Sequence, residues 1–452
     1  MNVLARSWPS VAFRVITRRS CNCNAARFST SSYIRKQEPI QVNGISYPRD
    51  DYTNVTPTIL SKVARQLHLQ PSHPIGILRS LIEAHFATFE AINTLSPIVT
   101  VHQNFDELGF APDHPGRSLT DSYYLNRQHM LRTHTSAHEV EVFKKGTERW
   151  LLTADVYRRD EIDASHYPVF HQMEGAHVVP RSEALATFEA SNAILEKKLS
   201  NANIVIMDDT KVGASNPYQD CHDPLLAEAA TRNLKNSLNS LVLELFGGIA
   251  NRAGAGEPLQ VRWIEAFFPF TSPSYEVEVM FEGKWLELLG CGVVKQATMD
   301  RSSVPDKMGW AFGLGLERIA MVLFGIPDIR LFWSTDPRFT QQFKAGQITS
   351  FKPYSKNPPC YQDISFWLPE SSSGFAQFHE NDFCEIVRDV AGDLAEETAL
   401  VDTFVHPKTG RKSLCYRINY RSMDRNVTTK EARDYTQQIE EAAKAKMGLE
   451  IR

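Results

Sequence analysis

The sequence predicts an α+β protein with two folded domains, each built on an antiparallel β-sheet. Residues 98–178 and 259–294 alternate apolar and polar side chains with a period of two, which indicates β-strands. Residues 359–452 show the order strand, helix, strand, strand, helix, strand (βαββαβ), which is typical of ferredoxin-like domains. The 452-residue chain is 42% hydrophobic and 23% charged, close to the average of soluble globular proteins, so wholesale disorder is excluded.

The first segment, residues 1–37, carries six Arg, one Lys and no Asp or Glu. Removing these seven positive charges from the net charge of −4 leaves −11 on the remainder. A basic, Ser-rich opening with scattered apolar residues is typical of a mitochondrial transit peptide, so we expect the mature protein in the mitochondrial matrix. The alternative is a disordered basic tail that binds RNA. No apolar run approaches the ~20 residues that span a bilayer, so we expect no membrane association.

Residues 38–95 form a predicted helical region. A first amphipathic helix opens at Thr56-Pro57, and a second opens near His73-Pro74, because each pair is followed by apolar residues at helical spacing.

Residues 96–336 form the predicted main domain. Its clearest strands are Trp150–Tyr157, Val169–Val178, Tyr275–Phe281 and Trp285–Leu289. Helices are expected at Ser182–Leu199 and at Pro224–Phe246, where Gly247-Gly248 would end the second one. We expect a surface loop at 251–257 and a linker over 337–358, which has few periodic features.

The C-terminal domain, 359–452, is predicted from the succession Tyr361–Leu368, Asp382–Val390, Ala395–Val405, Ser413–Met423, Thr429–Lys446 and Leu449–Arg452. Within it, residues 406–425 have six basic residues against Asp424 alone, which favours contact with a polyanion such as RNA. The alternative is a solvated hairpin. The six are Lys408, Arg411, Lys412, Arg417, Arg421 and Arg425.

Neither Cys nor His residues indicate a zinc site. The seven Cys include no CxxC pair, and their odd number is typical of free thiols in a reducing compartment. His134 and His138 are four residues apart, but no Glu follows in HExxH form.

The stretch from Asp155 to Glu174 predicts a nucleotide site. Two strands flank a polar loop at 159–168, and alternation directs Arg158 and Asp160 on the first strand, and Phe170, Gln172 and Glu174 on the second, toward one cavity. An Arg binds phosphate, and an aromatic ring stacks on a base. The alternative is a polar sheet face with a core Phe.

A second chemical stretch runs from Gly309 to Phe324. Gly313 and Gly315 precede a helix whose first turn holds Glu317 and Arg318. This is not the dinucleotide GxGxxG fingerprint, because the third glycine is missing. Close packing of helix on sheet is the alternative.

These two stretches resemble motifs 2 and 3 of the class II aminoacyl-tRNA synthetases. Further segments make the chain similar to the phenylalanyl-tRNA synthetases, specifically their single-chain mitochondrial form, over about residues 45–452. They are Asn104-Phe105-Asp106, Asp113-His114-Pro115, Leu131–Ser136, Phe268-Pro269-Phe270 and Leu289–Gly292. The resemblance implies a class II antiparallel-sheet catalytic domain at 96–336 and a ferredoxin-fold anticodon-binding domain at 359–452.

The resemblance also implies where ATP would bind. Adenine would lie between Phe170 and Arg318, with Arg158 on the α-phosphate and His166 toward the β- and γ-phosphates, so that Arg158, His166 and Arg318 are the catalytic residues. Ser165 and Tyr167 would flank His166. Glu287 would be an ATP-side ligand of Mg²⁺, since hard oxygen ligands suit that ion; otherwise it is a salt-bridged strand residue.

For the amino acid, the resemblance implies that Gln172 and Glu174 orient the ammonium group and that Phe268 and Phe270 contact the phenyl ring. Two such Phe residues are otherwise ordinary core. The remaining residues expected around the substrate are His134, Ser136, Ala137, His138, Glu139, Met173, Ala311, Phe312 and Gly313.

The implied activity is that of a phenylalanine–tRNA ligase, which forms phenylalanyl-adenylate from L-phenylalanine and ATP and transfers the amino acid to tRNA(Phe). No clear motif 1, the usual dimer segment, is found, so a monomer is expected. No segment has room for an editing domain. The competing hypotheses are a paralogue that binds tRNA without catalysis and an ATP-dependent ligase with another acceptor.

Overall fold

The computed structural model describes residues 38–250, 257–354, 357–369 and 377–452. The predicted transit peptide and residues 251–256 of the predicted surface loop therefore lie outside the described residues. None of the described helices has the length and apolar character needed to cross a membrane.

The N-terminal region contains the two helices that the sequence predicts. Thr56 and His73 cap them by accepting hydrogen bonds from the backbone N–H groups of Ile59 and Ile75, and each helix begins with Pro. The elements in chain order are β1 (Ile40–Val42), β2 (Ile45–Tyr47), α1 (Pro57–Val63), α2 (Pro74–His85), β3 (Glu90–Ile92), β4 (Ile98–Thr100) and β5 (His129–Leu131).

An eight-stranded sheet forms the main domain, in the order β3-β6-β7-β12-β11-β10-β9-β8. The six strands β6, β7, β12, β11, β10 and β9 pair antiparallel with their neighbours, which confirms the predicted antiparallel sheet. Both edge pairs, β3 with β6 and β8 with β9, are parallel, and long connections separate the two strands of each pair in the chain. The remaining strands are β6 (Arg149–Tyr157), β7 (Val169–Pro180), β8 (Ile204–Asp208), β9 (Leu259–Glu265), β10 (Thr271–Phe281), β11 (Lys284–Val294) and β12 (Lys307–Gly315).

Two long helices cover one face of this sheet, and their packing decides where they end. The longer one continues through Gly247-Gly248 to Ala250, so the prediction that these glycines end it is wrong. A helical Gly costs only about 1 kcal/mol relative to Ala, less than the packing of this helix on its neighbours provides. The helices are α3 (Glu139–Lys144), α4 (Arg181–Ser200), α5 (Pro224–Ala250), α6 (Gln296–Arg301), α7 (Leu316–Phe324) and α8 (Pro337–Thr340).

The segment predicted as a linker, 337–358, is packed against the main domain up to about Phe351. Phe339, Phe343 and Phe351 join the main hydrophobic core, and the ring of Phe339 lies 5.0 Å from Phe343 and 5.8 Å from Phe351. These aromatic residues have no regular spacing, so the sequence gives no periodic signal for their burial.

The C-terminal domain has the predicted βαββαβ order. Its four strands lie in the order β14-β15-β13-β16, and all three pairs are antiparallel, which is the ferredoxin-like arrangement. Its elements are β13 (Cys360–Trp367), α9 (Glu380–Ala391), β14 (Ala395–Val405), β15 (Lys412–Tyr420), α10 (Thr429–Met447) and β16 (Glu450–Ile451).

Candidate active site

The hairpin of β6 and β7 brings Arg158 and Phe170 together, as predicted. Val156 pairs with Phe170 in the sheet, and the Arg158 guanidinium lies 5.3 Å from the centroid of the Phe170 ring. Arg158 Nε also donates to the carbonyl oxygen of Thr133 at 2.8 Å, which fixes the direction of the guanidinium. A fixed cation beside an aromatic face is suited to a nucleotide, because it offers charge to phosphate and a surface to a base.

Asp163 organises the loop that holds His166, and sequence reasoning missed it. Its carboxylate accepts hydrogen bonds from His166 Nδ1 at 2.8 Å and from the Ser165 hydroxyl at 2.8 Å. The hydrogen bond to Asp163 raises the pKa of His166, because it favours the protonated ring. The raised pKa favours the charged form of the ring, which is the form that attracts phosphate. The sequence did contain a signal for this role, because an Asp three residues before a His in a polar loop commonly forms an Asx turn with the backbone that follows it.

Tyr167 follows His166 in the loop, but its side chain contacts Trp333 and the C-terminal domain. Its hydroxyl donates to Asp393 of the C-terminal domain at 2.7 Å, and its ring stacks on Trp333 at 5.5 Å. Neighbouring Ile162 is buried in the hydrophobic core of the C-terminal domain. Arg388 of α9 donates to the carbonyl oxygen of Asp160 at 2.7 Å. The loop at 159–168 is therefore shaped partly by the C-terminal domain.

Strand alternation separates the residues of β7 into two sets. Gln172 and Glu174 lie on the same face as Phe170, and Gln172 Oε1 accepts a hydrogen bond from the backbone N–H of Thr135 at 3.3 Å. Met173 points to the other face and is fully buried in the main core. Its predicted place in the substrate site is wrong, because adjacent residues of a strand point in opposite directions.

Glu317 links the two chemical stretches, and the sequence did not reveal its role. This buried carboxylate accepts hydrogen bonds from the backbone N–H of His171 at 2.7 Å and lies 2.6 Å from His171 Nδ1. His171 separates Phe170 from Gln172, and Glu317 precedes Arg318. One buried contact therefore sets the spacing between the strand and the helix that carry the predicted ATP-binding side chains.

The predicted ammonium end of the site is acidic and enclosed. Glu174 and Glu139 are 3% and 0% exposed, and burial raises the pKa of Glu174 to about 7 against the opposing effect of the Thr135 and Ser136 side chains. Burial lowers the pKa of His134 to about 3, so its ring is neutral. An enclosure with buried carboxyl groups is suited to an organic ammonium ion.

Two residues expected in this wall face elsewhere. Ala137 packs in a small hydrophobic cluster with Phe105 and Tyr124. His138 is buried, and its Nε2 lies 3.0 Å from Arg132 Nη1, so it helps to position the Arg132 guanidinium.

At the other end, Phe268 and Phe270 form the predicted aromatic wall. Their rings are 6.0 Å apart and nearly parallel, with an interplanar angle of 23°. Gly290 makes this possible, since a Cβ atom there would lie 2.5 Å from Cζ of Phe268. The ring of Phe110, which sequence reasoning missed, lies 6.2 Å from Phe270.

Strand β12 forms the floor between these two ends. Gly313 pairs with Glu174 on one side and with Gly290 on the other, and a Cβ atom on Gly313 would meet nothing within 4 Å. Ala311 lies on the same face, whereas Phe312 points into the main core and packs on Gly175. The prediction that Phe312 closes the site is therefore wrong, again because strand residues alternate.

Glu287 and Arg318 meet at the predicted ATP side. Arg318 Nη1 lies 3.3 Å from Glu287 Oε2, and both side chains are about one-third exposed. Glu276 is on the neighbouring strand, where burial and then the charges of Glu287 and Glu278 raise its pKa to about 7. The negative charges of these carboxylates repel one another, so the group is suited to binding a cation.

The basic stretch of the C-terminal domain is largely paired with acidic residues from outside 406–425. Its local charge of +5 therefore overstates the free positive charge, because sequence counting misses partners that folding brings in. Lys408 and Lys412 are exposed. The pairs are Arg411 with Glu450 at 2.7 Å, Arg417 with Asp363 at 2.7 Å, Arg421 with Glu396 at 3.3 Å and Arg425 with Glu431 at 2.5 Å.

Comparison with known protein families identifies both domains. Residues 59–203 and 228–343 match the family model for the tRNA synthetases class II core domain (F). Residues 355–452 match the model for the ferredoxin-fold anticodon binding domain.

Curated relatives match over most of their length. The mitochondrial phenylalanine–tRNA ligase of Saccharomyces cerevisiae is 50% identical over 424 residues, which cover 87% of this chain and 90% of the yeast protein. The mitochondrial phenylalanine–tRNA ligase of Mus musculus is 42% identical over 454 residues, covering 96% of this chain and 95% of the mouse protein. A chloroplastic/mitochondrial phenylalanine–tRNA ligase of Arabidopsis thaliana is 41% identical, with 95% and 92% covered.

Proposed function

Because the chain belongs to the class II aminoacyl-tRNA synthetases, and within them to the mitochondrial phenylalanine–tRNA ligase family, we propose that it joins L-phenylalanine to tRNA(Phe) in the mitochondrial matrix. The observation that carries this proposal is the shape of the site. Buried Glu174 lies at one end and the stacked rings of Phe268 and Phe270 lie at the other, with Gly313, over which a Cβ atom would meet nothing within 4 Å, between them. An ammonium group and a phenyl ring on one small molecule match these two ends.

Activation requires no nucleophile from the protein. The phenylalanine carboxylate attacks the α-phosphorus of ATP, an oxygen–phosphorus bond forms, and pyrophosphate leaves. Arg158 would neutralise charge on the α-phosphate, and His166, whose pKa is raised by its hydrogen bond to Asp163, would meet the leaving phosphates. A ribose hydroxyl of tRNA then attacks the adenylate carbonyl carbon and releases AMP.

The carboxylates at the ATP side fit Mg²⁺. Glu287 and Glu276 are hard oxygen donors on adjacent strands, and burial, followed by the charges of Glu287 and Glu278, raises the pKa of Glu276 to about 7. Magnesium bound there would neutralise the phosphates of ATP. Arg318, paired with Glu287, would orient that carboxylate as well as contact the nucleotide.

The C-terminal domain would bind the tRNA through the open face of its sheet. Trp367 and Phe404 have ring centroids 5.9 Å apart, and the Arg452 guanidinium lies 5.3 Å and 5.2 Å from these two rings. Aromatic rings with a neighbouring Arg are typical surfaces for stacking unpaired bases. Lys408 and Lys412 are exposed for contact with phosphate.

The direct test of the proposed function is ATP–pyrophosphate exchange with a panel of amino acids, followed by charging of tRNA(Phe). Exchange that depends on phenylalanine, together with charging, is the expected result. Exchange without charging would favour a ligase with another acceptor. No exchange with any amino acid would favour a paralogue without catalysis.

We also propose that the enzyme acts as a monomer and has no editing activity, since the described elements all belong to the catalytic domain, its N-terminal region or the tRNA-binding domain. Sedimentation would give the oligomeric state. Preformed tyrosyl-tRNA(Phe) should lose its amino acid no faster with the enzyme than without it. Faster hydrolysis would contradict this part of the proposal.

Residues 1–37 would deliver the protein to the matrix. Fused to a fluorescent reporter, this segment should direct the reporter into mitochondria, whereas a version with its six Arg changed to Gln should leave the reporter in the cytosol. If the reporter fused to the natural segment stayed in the cytosol, the prediction of a transit peptide would be refuted.

A further inference from the structure

Glu139 and Glu174, which we call the carboxyl pair, lie buried together at the ammonium end of the site. Glu174 is on β7, which packs against the helical turn that carries the Thr135 and Ser136 hydroxyls, and Glu139 begins α3 three residues after Ser136. Glu139 is 0% exposed and both its oxygens lack a hydrogen-bond partner, as does Oε2 of Glu174. In the described part of the chain, neither carboxyl forms an ion pair.

The cations near the carboxyl pair are bound elsewhere. Arg158 donates to the Thr133 carbonyl oxygen and lies over Phe170. His134 is neutral, because burial and then the charge of Arg158 lower its pKa to about 3, and burial also lowers the pKa of His138. Other charged or titratable groups on the elements packed around the pair have these partners: Arg132 pairs with Asp155, Arg149 with His177, His171 with Glu317, Lys307 with Glu148, Arg301 with the Glu107 carbonyl, Glu141 with His138 and Lys145, and Asp300 with the Gln296 amide. Lys144 of α3 is exposed to solvent.

Two negative charges are not stable in this enclosure. Transferring a carboxylate out of water without a cation is costly, and a second one nearby adds repulsion, so protons remain bound. Burial and then the charge of Glu174 raise the pKa of Glu139 well above its usual range. Burial raises the pKa of Glu174 to about 7, and the two hydroxyls oppose the rise. Geometry and charge therefore agree that Glu139 is the more strongly protonated member.

We propose, building on the proposed function, that binding of L-phenylalanine removes one proton from the carboxyl pair: Glu174 ionises to receive the α-ammonium group, and Glu139 keeps its proton. The pair then presents a single negative charge to a single positive charge. Glu139 is a positioning residue in this scheme, because its neutral side chain encloses Glu174 without competing for the ammonium ion.

The sign of the pH dependence follows. Below pH 7, protonated Glu174 lacks the charge that attracts the ammonium group, so the KM for phenylalanine rises as the pH falls. For one proton with a pKa of about 7, the KM should increase about tenfold from pH 8 to pH 6, while kcat changes little. 3-Phenylpropionate, which lacks the ammonium group, should not bind more weakly at pH 6 than at pH 8.

The experiment measures the KM for phenylalanine by pyrophosphate exchange at saturating ATP from pH 6 to pH 8. Glu174→Gln should raise the KM and abolish its pH dependence, whereas Glu139→Gln should retain the tenfold dependence. Glu148→Gln, which changes an exposed carboxylate that pairs with Lys307, is the matched control and should retain it as well. A pH-independent KM in the natural enzyme, or loss of the dependence in Glu139→Gln but not in Glu174→Gln, would overturn the proposal.

Calorimetry measures the release of the proton on phenylalanine binding directly and needs no variant. Titration of the natural enzyme with phenylalanine at pH 6.5, in two buffers of different ionisation enthalpy, should show release of about three-quarters of a proton. Release of none would overturn the proposal even if exchange with phenylalanine is normal. Absence of phenylalanine-dependent exchange at every pH would instead refute the proposed function, so the two failures are distinguishable.

Discussion

The contact between Glu317 and His171 gives the sharpest prediction from the site. Changing Glu317→Gln keeps the size of the side chain but replaces one acceptor oxygen by an NH₂ group. The backbone N–H and the Nδ1 of His171, 2.7 Å and 2.6 Å from the carboxylate, then compete for one oxygen. One buried donor loses its partner, because both residues are almost fully buried.

The expected loss of stability follows from this count. A hydrogen bond to a charged group contributes about 1.5–3 kcal/mol, and an unsatisfied buried donor costs about 1–3 kcal/mol, so we expect a loss of about 2–4 kcal/mol. The displaced strand and helix should also separate Phe170 from Arg318. If about 1.4 kcal/mol of this loss is taken from the binding free energy of ATP, the KM for ATP rises about tenfold.

Urea unfolding and the KM for ATP are the two measurements. The matched control is Glu189→Gln, which removes an exposed carboxylate paired with Arg232 and should cost less than about 1 kcal/mol. If Glu317→Gln has the unfolding midpoint and the KM of this control, the linking role of Glu317 is refuted.

Three further changes address other parts of the site. Gly290→Ala should push the Phe268 ring aside and raise the KM for phenylalanine about 2–10-fold, as expected for a lost aromatic contact. An unchanged KM in pyrophosphate exchange would contradict the assignment of Phe268 to the substrate site. Arg318→Ala should weaken ATP use roughly thirtyfold through loss of a cation–π contact of about 2 kcal/mol, and unchanged exchange kinetics would reject its assignment. Ile162→Ala should lower the free energy of unfolding by about 2 kcal/mol, because this side chain is buried in the core of the C-terminal domain. An unaltered midpoint of urea unfolding would show that Ile162 does not contribute to that core.

Local sequence rules predicted much of the fold. The caps at Thr56 and His73 and the alternation along β7 depend on neighbours within a few residues, and the structure contains them. Strand β12 was missed because three glycines in Gly309–Gly315 obscure a strand whose Trp310 and Phe312 are buried. Glycine weakens strand propensity, but long pairing with β7 and β11 overrides it.

Charge counting failed for a different reason. Arg417 and Asp363 are 54 residues apart in the chain and face each other only because β13 and β15 are neighbours in the sheet. A window of sequence therefore records the cation without its partner. The same reasoning applies to Glu317 and His171, which are 146 residues apart. Residues that act through such contacts require the fold before their role can be inferred.

The loop at 159–168 shows how the two domains are joined at the site. The sequence predicts the tRNA-binding domain as a separate unit, yet Ile162 belongs to its core and Thr398 of β14 donates its backbone N–H to the Ile162 carbonyl oxygen at 2.9 Å. Arg388 holds the carbonyl oxygen of Asp160 from the same domain. Because His166 lies on this loop, the position of the predicted phosphate-binding group depends on contacts made by the domain that binds tRNA.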